Sequence, residues 1–247
     1  MQVLGIDIGG SGVKGAIVDS TSGELLSDRF RLSTPKPASP ENLVKTMAQL
    51  VAHFDWRGKV ACGFPTPFHN GKCITGGNLH KKWKGVHVAD FFKKEIGNDF
   101  TVVNDADAAG LAEIYFGAGK DVSGTIIMVT LGTGIGSAVF LDGKLLPNTE
   151  FGHVYTDKGI VFEKYAADSI RKKENLSRRD WGKRLNKYFQ HIEMLLSPNI
   201  IIIGGGASKK LEKFVDQIKI TAPIVAATAQ NEAGIIGAAL AASNQQL

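Results

Sequence analysis

Two glycine-rich turns are the first residues of this sequence that could do chemistry, because they could bind phosphate. The first turn, at residues 9–12, separates apolar runs at 3–8 and 13–19, and the second covers residues 132–136. Glycine lets backbone N–H groups converge on phosphate oxygens with no Cβ in the way. A plain hairpin turn uses similar residues, so one such turn indicates little. Two matching turns and a later triple glycine at 204–206 favour phosphate binding.

A second candidate site follows a predicted strand over residues 100–103. This strand ends in Asn104 and Asp105 and leads into a predicted helix over 106–116. Polar side chains at the carboxyl ends of strands lie where open α/β sheets bind ligands. Phosphoryl transfer needs a carboxylate that orients and deprotonates the attacking hydroxyl, which is the hypothesis for Asp105. The alternative is that Asp105 only caps the helix.

Three further polar residues could bind the hydroxyls of a sugar, which require several fixed donors and acceptors. They are Glu150, His153 and Glu163. A lone histidine in a loop is more often structural, so the interpretation depends on its neighbours.

Neither a P-loop nor a dinucleotide motif fits, since the glycine turns lead into strands and not helices.

Composition excludes several classes of protein. The chain has 247 residues and two cysteines, and the formal charge is +5. It begins in a strand-like run, and no apolar stretch reaches the roughly 20 residues that cross a bilayer. We therefore predict a cytoplasmic protein with no membrane partner, no disulfide and no thiolate zinc site. No nucleic acid partner is expected either. The positive charge favours polyanionic ligands, and the equally weighted alternative is that most of these charges are solvated surface residues.

The order of predicted elements repeats. After the first hairpin come a third strand at 25–32, a helix at 40–53 with Ser39 as its cap, a strand at 59–64 and a helix at 88–96, before the strand at 100–103. The second half follows a similar order, with a hairpin at 124–141, a third strand near Leu145 and helices at 161–171 and 179–196. It closes with a strand at 199–203 and helices at 208–218 and 231–242. A duplicated unit can supply two phosphate-binding turns to one protein.

These motifs resemble the ROK family of sugar kinases and repressors, and more narrowly its polyphosphate glucokinase branch. Residues 7–15 are similar to the family's first phosphate motif and 131–136 to its second, while 104–109 resemble the segment with the catalytic aspartate. Asn78 looks like the sugar-binding asparagine, and Glu150 and His153 match the Glu-x-Gly-His sugar motif. The phosphate-binding residues that the turns and the resemblance predict are Asp7, Gly9, Gly10, Ser11, Gly12, Lys14, Gly132, Thr133, Gly134, Gly204, Gly205 and Gly206.

The resemblance implies a duplicated ribonuclease H-like α/β fold of the actin and hexokinase type, with two lobes around a cleft. The lobes would be residues 1–107 and 108–230, with a last helix at 231–247 packing back on the first. The resemblance further implies a homodimer and Mg²⁺ near Asp7, held through water. Asp105 would be the base, and the sugar would contact Asn78, Asn104, Glu150, His153 and Glu163. Residues 154–161 contain no cysteine, whereas typical members have a zinc loop there, so no zinc is expected at His153.

The resemblance leaves the phosphoryl donor open. We predict a glucokinase that prefers inorganic polyphosphate and uses ATP poorly or as a second choice, against a strictly ATP-dependent kinase for a hexose or amino sugar. A sugar-responsive repressor and a non-catalytic sugar-binding module are more remote alternatives, since the chain begins directly in the first kinase strand and keeps both turns. Polyphosphate needs a cationic track more than a base pocket. Candidates for that track are Lys14, Lys81, Lys82, Lys84, Lys158, Lys209, Lys210 and Lys213.

Overall fold

The computed structural model describes residues 1–229 and 232–243. Within them the strands are β1 (Gln2–Ile8), β2 (Val13–Asp19), β3 (Phe30–Leu32), β4 (Val60–Phe64), β5 (Phe68–His69), β6 (Lys72–Cys73), β7 (Phe100–Asn104), β8 (Thr125–Leu131), β9 (Ile135–Leu141), β10 (Lys144–Leu146), β11 (Ile200–Gly204) and β12 (Ile224–Ala226). The α-helices are α1 (Pro40–His53), α2 (Val88–Ile96), α3 (Asp105–Phe116), α4 (Glu163–Ala166), α5 (Asp168–Lys173), α6 (Arg178–Leu196) and α7 (Ala233–Ser243). Short 3₁₀ helices cover Lys81–Trp83, Phe151–His153, Gly205–Lys213 and Val215–Gln217.

The first sheet is built on the hairpin of β1 and β2. Among the described residues its strand order is β3-β2-β1-β4-β7, and β1, β4 and β7 run parallel. Parallel strands need helical crossovers, which α1 and α2 supply. The side chains of β1 and β4 read as near-continuous apolar runs because both faces of this part of the sheet are covered.

The second sheet repeats this plan with order β10-β9-β8-β11-β12. Here β8 and β9 form the hairpin, and β11 lies parallel to both β8 and β12. Each sheet thus has a three-stranded meander followed by two parallel strands. The predicted duplication is confirmed, and with it the α/β fold class.

The chain divides into two compact units. The first is Met1–Ala112 with Glu232–Leu247, and the second is Glu113–Asn231. The first boundary falls inside α3, a few residues after the predicted one at 107. In the first unit α7 packs on β1 and β4, and Ile235, Ala238 and Ala239 share a buried cluster with Val3.

Several predicted elements differ from the structure. The helix at 161–171 is two short helices, because Ala167 has extended backbone between α4 and α5. The helix at 208–218 is replaced by two 3₁₀ segments that are separated at Phe214, and the first of them is itself kinked at Lys210. Strand β12 and the β5–β6 hairpin were not predicted.

The ends of two predicted helices differ in detail from the structure or lie outside the described residues. Ser39 occupies the N-cap position of α1 but makes no side-chain capping bond. The last helix is described over Ala233–Ser243, whereas Asn231 and residues 244–247 of the prediction lie outside the described residues. No helix in the described part of the chain is both long and apolar enough to cross a membrane.

Candidate active site

The carboxyl edge of the first sheet carries the predicted catalytic residues. Asp7 lies near the end of β1 opposite Gly63 of β4, and Phe64 of β4 pairs with Asn104 of β7. Strands are spaced about 4.8 Å apart, so Asp7 and the end of β7 are about 10 Å apart across β4. Gly63 has no side chain, and a Cβ built there would lie 3.4 Å from the Asp105 Cα. The edge therefore presents two carboxylates, from Asp7 and Asp105, on either side of Gly63, which has no side chain.

Asn104 caps α3, so the capping role expected of Asp105 belongs chiefly to its neighbour. The Asn104 Oδ1 accepts the N–H of Ala106 at 2.9 Å and that of Asp107 at 3.2 Å. Asp105 is the first residue of the helix, and its Oδ1 also accepts the Ala106 N–H at 2.9 Å. Asn104 is buried, and its capping bonds fix the direction in which the helix and Asp105 start.

The first glycine turn is held in place from outside. The Gly9 N–H donates to the Gly12 carbonyl at 2.9 Å, and Thr34 Oγ1 donates to the Gly9 carbonyl. Arg31 Nη2 donates to the Ser11 carbonyl at 2.8 Å. These bonds use the Gly9 N–H and three carbonyl groups of the turn, so the backbone conformation of the turn is fixed before any ligand binds.

Lys14 and Asp7 form an ion pair beside this turn. Lys14 Nζ donates to Asp7 Oδ2 at 3.2 Å, and the two residues are paired across the β1–β2 hairpin. Both side chains are largely buried, at 30% and 23% exposed. An ammonium group beside a glycine turn supplies positive charge for a phosphate oxygen.

The second glycine turn is anchored by the helices that follow it. Glu163 Oε2 accepts the Ile135 N–H at 3.0 Å, directly after the turn. A Cβ on Gly134 would collide with the same carboxylate. Ser169 donates its N–H to the Gly132 carbonyl at 3.0 Å and its hydroxyl to the Thr133 carbonyl at 2.6 Å. In this structure Glu163 supports the turn, which its predicted role in sugar binding did not anticipate.

The triple glycine lies beside this second turn. Gly204 ends β11 and pairs with Thr130 of β8, two residues before Gly132. Gly205 has φ of +72°, and a Cβ there would meet the backbone of Leu131. The parallel pairing of β8 and β11 thus brings the two predicted phosphate-binding segments of the second unit together.

Three glycines in these turns are not required by the fold. At Gly10, Gly132 and Gly206 an added Cβ would meet no atom within 4 Å, and none of the three has positive φ. Packing and backbone strain therefore give no reason for glycine at these positions. Close approach of a ligand to the backbone is a reason that remains.

Glu150 and His153 form a pair in a loop that is anchored to β9. His153 Nδ1 lies 3.2 Å from Glu150 Oε2, across the 3₁₀ turn at Phe151–His153. Ser137 Oγ accepts the Phe151 N–H at 2.9 Å and donates to the Thr149 carbonyl at 2.9 Å. Burial raises the pKa of the Glu150 carboxyl, and the nearby Glu163 raises it further, while His153 opposes both effects.

Asn78 lies in an exposed turn of the first unit. The neighbouring Gly77 has φ of +54° and donates its N–H to Thr75 Oγ1 at 3.0 Å. Thr75 Oγ1 is in turn 3.1 Å from the hydroxyl of buried Thr66, which follows the end of β4. This chain of bonds ties the Asn78 turn to the strand between β1 and β7.

The residues present fit a magnesium ion that arrives with its substrate. In the described part of the chain no group of three or more His, Cys, Asp or Glu side chains could hold a metal by itself. Mg²⁺ keeps several waters and is commonly bound by one or two carboxylates plus substrate phosphates. Asp7 supplies such a carboxylate at the sheet edge, and Gly234 leaves room beside it, since a Cβ there would lie 2.9 Å from the Asp7 Cγ.

Comparison with known proteins decides the family. The sequence model of the ROK family matches residues 3–168. This chain belongs to the ROK family. It is 44% identical over 239 residues to the polyphosphate glucokinase of Mycobacterium tuberculosis strain CDC 1551 / Oshkosh, covering 96% of this chain and 90% of that protein. The enzyme of the same name from Mycobacterium leprae strain TN is 44% identical over 241 residues, covering 97% of this chain and 74% of that one.

Solved structures agree with this assignment. The inorganic polyphosphate/ATP-glucomannokinase of Arthrobacter sp. strain KM is 42% identical, with a TM-score of 0.93 over 98% of this chain and 99% of that one. A ROK family glucokinase from Streptomyces griseus, solved with glucose and AMPPNP, has a TM-score of 0.84 over 97% of this chain and 98% of that one, at 23% identity. At this identity the Streptomyces griseus structure shows the fold alone.

Within this ROK fold, several supporting residues were missed by sequence reasoning. Ser137 holds the Glu150 loop, Thr34 holds the first glycine turn and Ser169 holds the second. Single serines and threonines between apolar residues give no sequence pattern, so only the fold reveals them. Glu163 was found, but as a sugar ligand and not as the anchor of a turn.

Proposed function

We propose that this chain transfers a phosphoryl group from inorganic polyphosphate, and from ATP as a second donor, to the 6-hydroxyl of glucose. The observation that carries the proposal is the 44% identity to polyphosphate glucokinases along almost the whole chain. The arrangement at the sheet edges supports it, since both glycine turns are preformed and a carboxylate starts α3.

In the proposed reaction Asp105 is the general base. Its carboxylate would accept the proton of the sugar 6-hydroxyl while that oxygen attacks the terminal phosphorus of the donor. The new bond joins the sugar oxygen to phosphorus, and the bond between that phosphorus and the bridging oxygen of the donor breaks. Asn104 contributes by fixing the start of α3, through the two N–H groups that it accepts.

The donor would be held by the glycine turns and by Lys14. Their N–H groups and the ammonium group would stabilise charge on the transferring phosphoryl oxygens. Mg²⁺ would be held near Asp7, through water, and would supply further neutralisation of that charge. Lys14 forms an ion pair with Asp7 in the structure, so we propose that this lysine keeps the carboxylate in place before the donor binds.

We propose that the sugar is bound by Asn78, Asn104, Glu150, His153 and Glu163. Mannose is a second candidate acceptor, because the Arthrobacter structure at 42% identity is named a glucomannokinase. Glucose and mannose differ in the orientation of one hydroxyl. Initial rates with the two sugars at a fixed donor concentration distinguish a glucose-specific enzyme from a glucomannokinase.

Replacing Glu150 with Gln is expected to lower kcat/KM for glucose by about fivefold to 150-fold. The reason is that a sugar hydroxyl loses its charged acceptor, a loss of about 1 to 3 kcal/mol. Stability should be unchanged or higher at neutral pH. The raised pKa of Glu150 means that the folded state binds the proton more tightly than the unfolded state. Above that pKa the charged carboxylate therefore lowers the free energy of unfolding. The protein regains this stability as the pH falls through the pKa of the folded state.

The Glu150→Gln test combines steady-state kinetics with thermal unfolding at two pH values. Glu212→Gln is a suitable control, because Glu212 is an exposed glutamate in the same unit. An unchanged kcat/KM for glucose would remove Glu150 from the sugar site. Stoichiometric zinc that is lost on changing His153 would show that this pair binds a metal instead.

Replacing Gly10, Gly132 or Gly206 with Ala is expected to weaken donor use without weakening the fold. A Cβ at these positions meets no protein atom within 4 Å, so the free energy of unfolding should stay the same or rise by about 0.4 to 1 kcal/mol. The methyl group would stand where phosphate oxygens approach the backbone, and KM for the donor should rise at least about tenfold. Urea unfolding and donor kinetics on the same preparations test this, and an unchanged donor KM would show that phosphate does not approach these glycines.

The choice of donor is tested by kcat/KM for ATP and for polyphosphate of graded length at two ionic strengths. A polyanion bound along several charges loses affinity more steeply with salt than ATP does. If ATP is preferred at both salt concentrations and chain length has no effect, the enzyme is an ATP-dependent kinase. Of the predicted track, Lys82 is in an exposed ion pair with Glu41 at 2.9 Å, which is weak enough for a donor to displace.

We also propose a homodimer in the cytoplasm, on the strength of the family resemblance and of the cysteines. Cys62 and Cys73 are free and buried, and burial raises the pKa of the Cys73 thiol to about 12. Such thiols are inert and suit a reducing compartment. Sedimentation equilibrium tests the dimer.

A further inference from the structure

The positive charge of this protein is concentrated in one segment. Residues 164–187 contain nine Lys and Arg against three Asp and Glu, a formal charge of +6, whereas the whole chain carries +5. The remainder of the sequence is therefore slightly acidic. A region with this excess attracts polyanions beyond the reach of single contacts.

Part of this charge is not neutralised by neighbouring carboxylates. Asp168 pairs with Arg171 at 2.6 Å and with Lys172 at 2.8 Å. Arg184 pairs with Glu174, and Lys183 pairs with Asp180. In the described residues the cations of the segment that form no ion pair within 4 Å are Lys164, Lys173, Arg179 and Lys187.

Three of the exposed cations form a row along α6. Arg179, Lys183 and Lys187 follow at intervals of four residues, and all three are exposed. Residues four apart lie on the same face of a helix, so the row runs for about 12 Å at 1.5 Å per residue. We call these three residues the basic row.

The position of this charge is unfavourable for the helix itself. Arg178 and Arg179 occupy the first turn of α6, where the helix dipole favours acidic side chains. The Arg178 guanidinium lies 5.4 Å from the centre of the Trp181 ring, and that of Arg171 lies 5.8 Å from the same ring. Stabilisation of α6 therefore does not explain a second arginine at Arg179.

The segment at residues 164–187 is linked to the turn at Gly132 and to the residues that follow the triple glycine at 204–206. Ser169 of α5 donates both its hydrogen bonds to carbonyls of the turn at Gly132 and Thr133. α6 packs on the 3₁₀ segments that follow Gly204–Gly206, where Trp181 and Phe214 have ring centres 4.7 Å apart. The glycine turns and the exposed cations of α6 thus belong to the same unit, and hydrogen bonds and ring packing link the elements that carry them.

We propose that the basic row binds the distal part of a long polyphosphate chain whose reacting end lies at the glycine turns. The inference rests on the proposed function, because it assumes that polyphosphate is a donor. It assigns long-chain binding to Arg179, Lys183 and Lys187 of the second unit, and not to Lys81, Lys82 and Lys84 of the first. The row recognises repeated phosphate charge and contacts no base or sugar.

The test uses the triple variant Arg179→Gln, Lys183→Gln, Lys187→Gln in the full chain. The ratio of kcat/KM for long-chain polyphosphate to kcat/KM for tripolyphosphate should fall at least fivefold relative to the wild type. The slope of log affinity for long-chain polyphosphate against log salt should become shallower by about 2, since each lost contact removes roughly 0.7 to 0.9. The control is Lys45→Gln, Lys59→Gln, Lys94→Gln, which removes the same charge from exposed positions of the first unit.

A single variant separates binding from folding. Arg179→Glu places an acidic residue in the first turn of α6, so the melting temperature should stay the same or rise. The preference for long chains over tripolyphosphate should nevertheless fall. A lower melting temperature together with an equal loss for both donors would mean that Arg179 acts through the fold, against the proposal.

The outcomes distinguish a failure of the proposed function from a failure of the inference about the basic row. A wild-type protein that cannot use any polyphosphate overturns the proposed function and this inference with it. A wild-type protein that prefers long chains, with the same preference in the triple variant, overturns this inference alone. If the triple variant loses affinity for single-stranded RNA while the chain-length preference stays unchanged, the row is a nucleic acid surface and the proposal is wrong.

Discussion

Asp105→Asn is expected to lower kcat by about 10² or more while the protein stays folded. The substitution keeps the size of the side chain and the Oδ1 that accepts the Ala106 N–H, but the amide cannot take the proton of the sugar hydroxyl. Capping of α3 is preserved as well, because Asn104 supplies most of it. KM for glucose should change little, since the amide can still hydrogen-bond to the hydroxyl.

The measurement is the initial rate at saturating glucose and donor, with urea unfolding on the same sample. Asp90→Asn, an exposed position on α2, controls for the chemical change. A folded Asp105→Asn enzyme with near wild-type kcat would show that another group is the base. Loss of both folding and activity would point to the capping role instead, and Asp105→Ser, which can still cap a helix, would then separate the two roles.

Glu113→Gln is expected to destabilise the protein by about 3 kcal/mol, roughly a hundredfold in the folding equilibrium. Glu113 of α3 is fully buried. Its Oε2 accepts the Ala118 N–H at 2.9 Å and both the N–H and the hydroxyl of Thr228 at 3.1 Å. Its Oε1 accepts the Ala229 N–H at 2.8 Å. The amide group of Gln is a donor, so wherever it points it faces a partly buried N–H or O–H group that has lost its acceptor.

Urea unfolding gives this difference directly, with the exposed Glu95→Gln as the matched control. In a cycle with Thr228→Val, the two substitutions should be strongly non-additive, because they share hydrogen bonds. A Glu113→Gln protein as stable as the wild type would show that the carboxylate contributes little. Its effect on kcat should be small as long as the sample is folded.

The sequence predicted the parts of the fold that depend on local pattern. Both hairpins, the buried strand at residues 60–64 and the helix at Val88–Ile96 agree with the structure, because apolar runs and glycine turns mark them directly. The strand at Ile224–Ala226 was missed, since it is three residues long and pairs with β11 through contacts distant in sequence. The helix predicted at 161–171 was broken by Ala167, which adopts extended backbone where Ser169 binds the second glycine turn.

The candidate site shows the same division. Asp105 was predicted from its place at a strand end, and the structure adds that Asn104 is the residue that caps the helix. Glu163 was predicted as a sugar ligand, whereas the structure shows its bond to the Ile135 N–H. Glu113 lies on a helix with little amphipathic pattern, and its partner Thr228 is over a hundred residues away, so no local pattern could reveal it.

The most direct test of the central claim is the formation of glucose 6-phosphate without any nucleotide. The purified protein is incubated with glucose, Mg²⁺ and inorganic polyphosphate, and both the sugar phosphate and the shortening of the polymer are followed by ³¹P NMR. We predict that glucose 6-phosphate appears in proportion to the internal phosphates lost, since each transfer of a terminal phosphoryl group turns its neighbour into the new chain end, and that the Asp105→Asn protein forms it about a hundredfold more slowly. Formation with ATP but none with polyphosphate would contradict the donor, and no product with either donor would contradict the kinase.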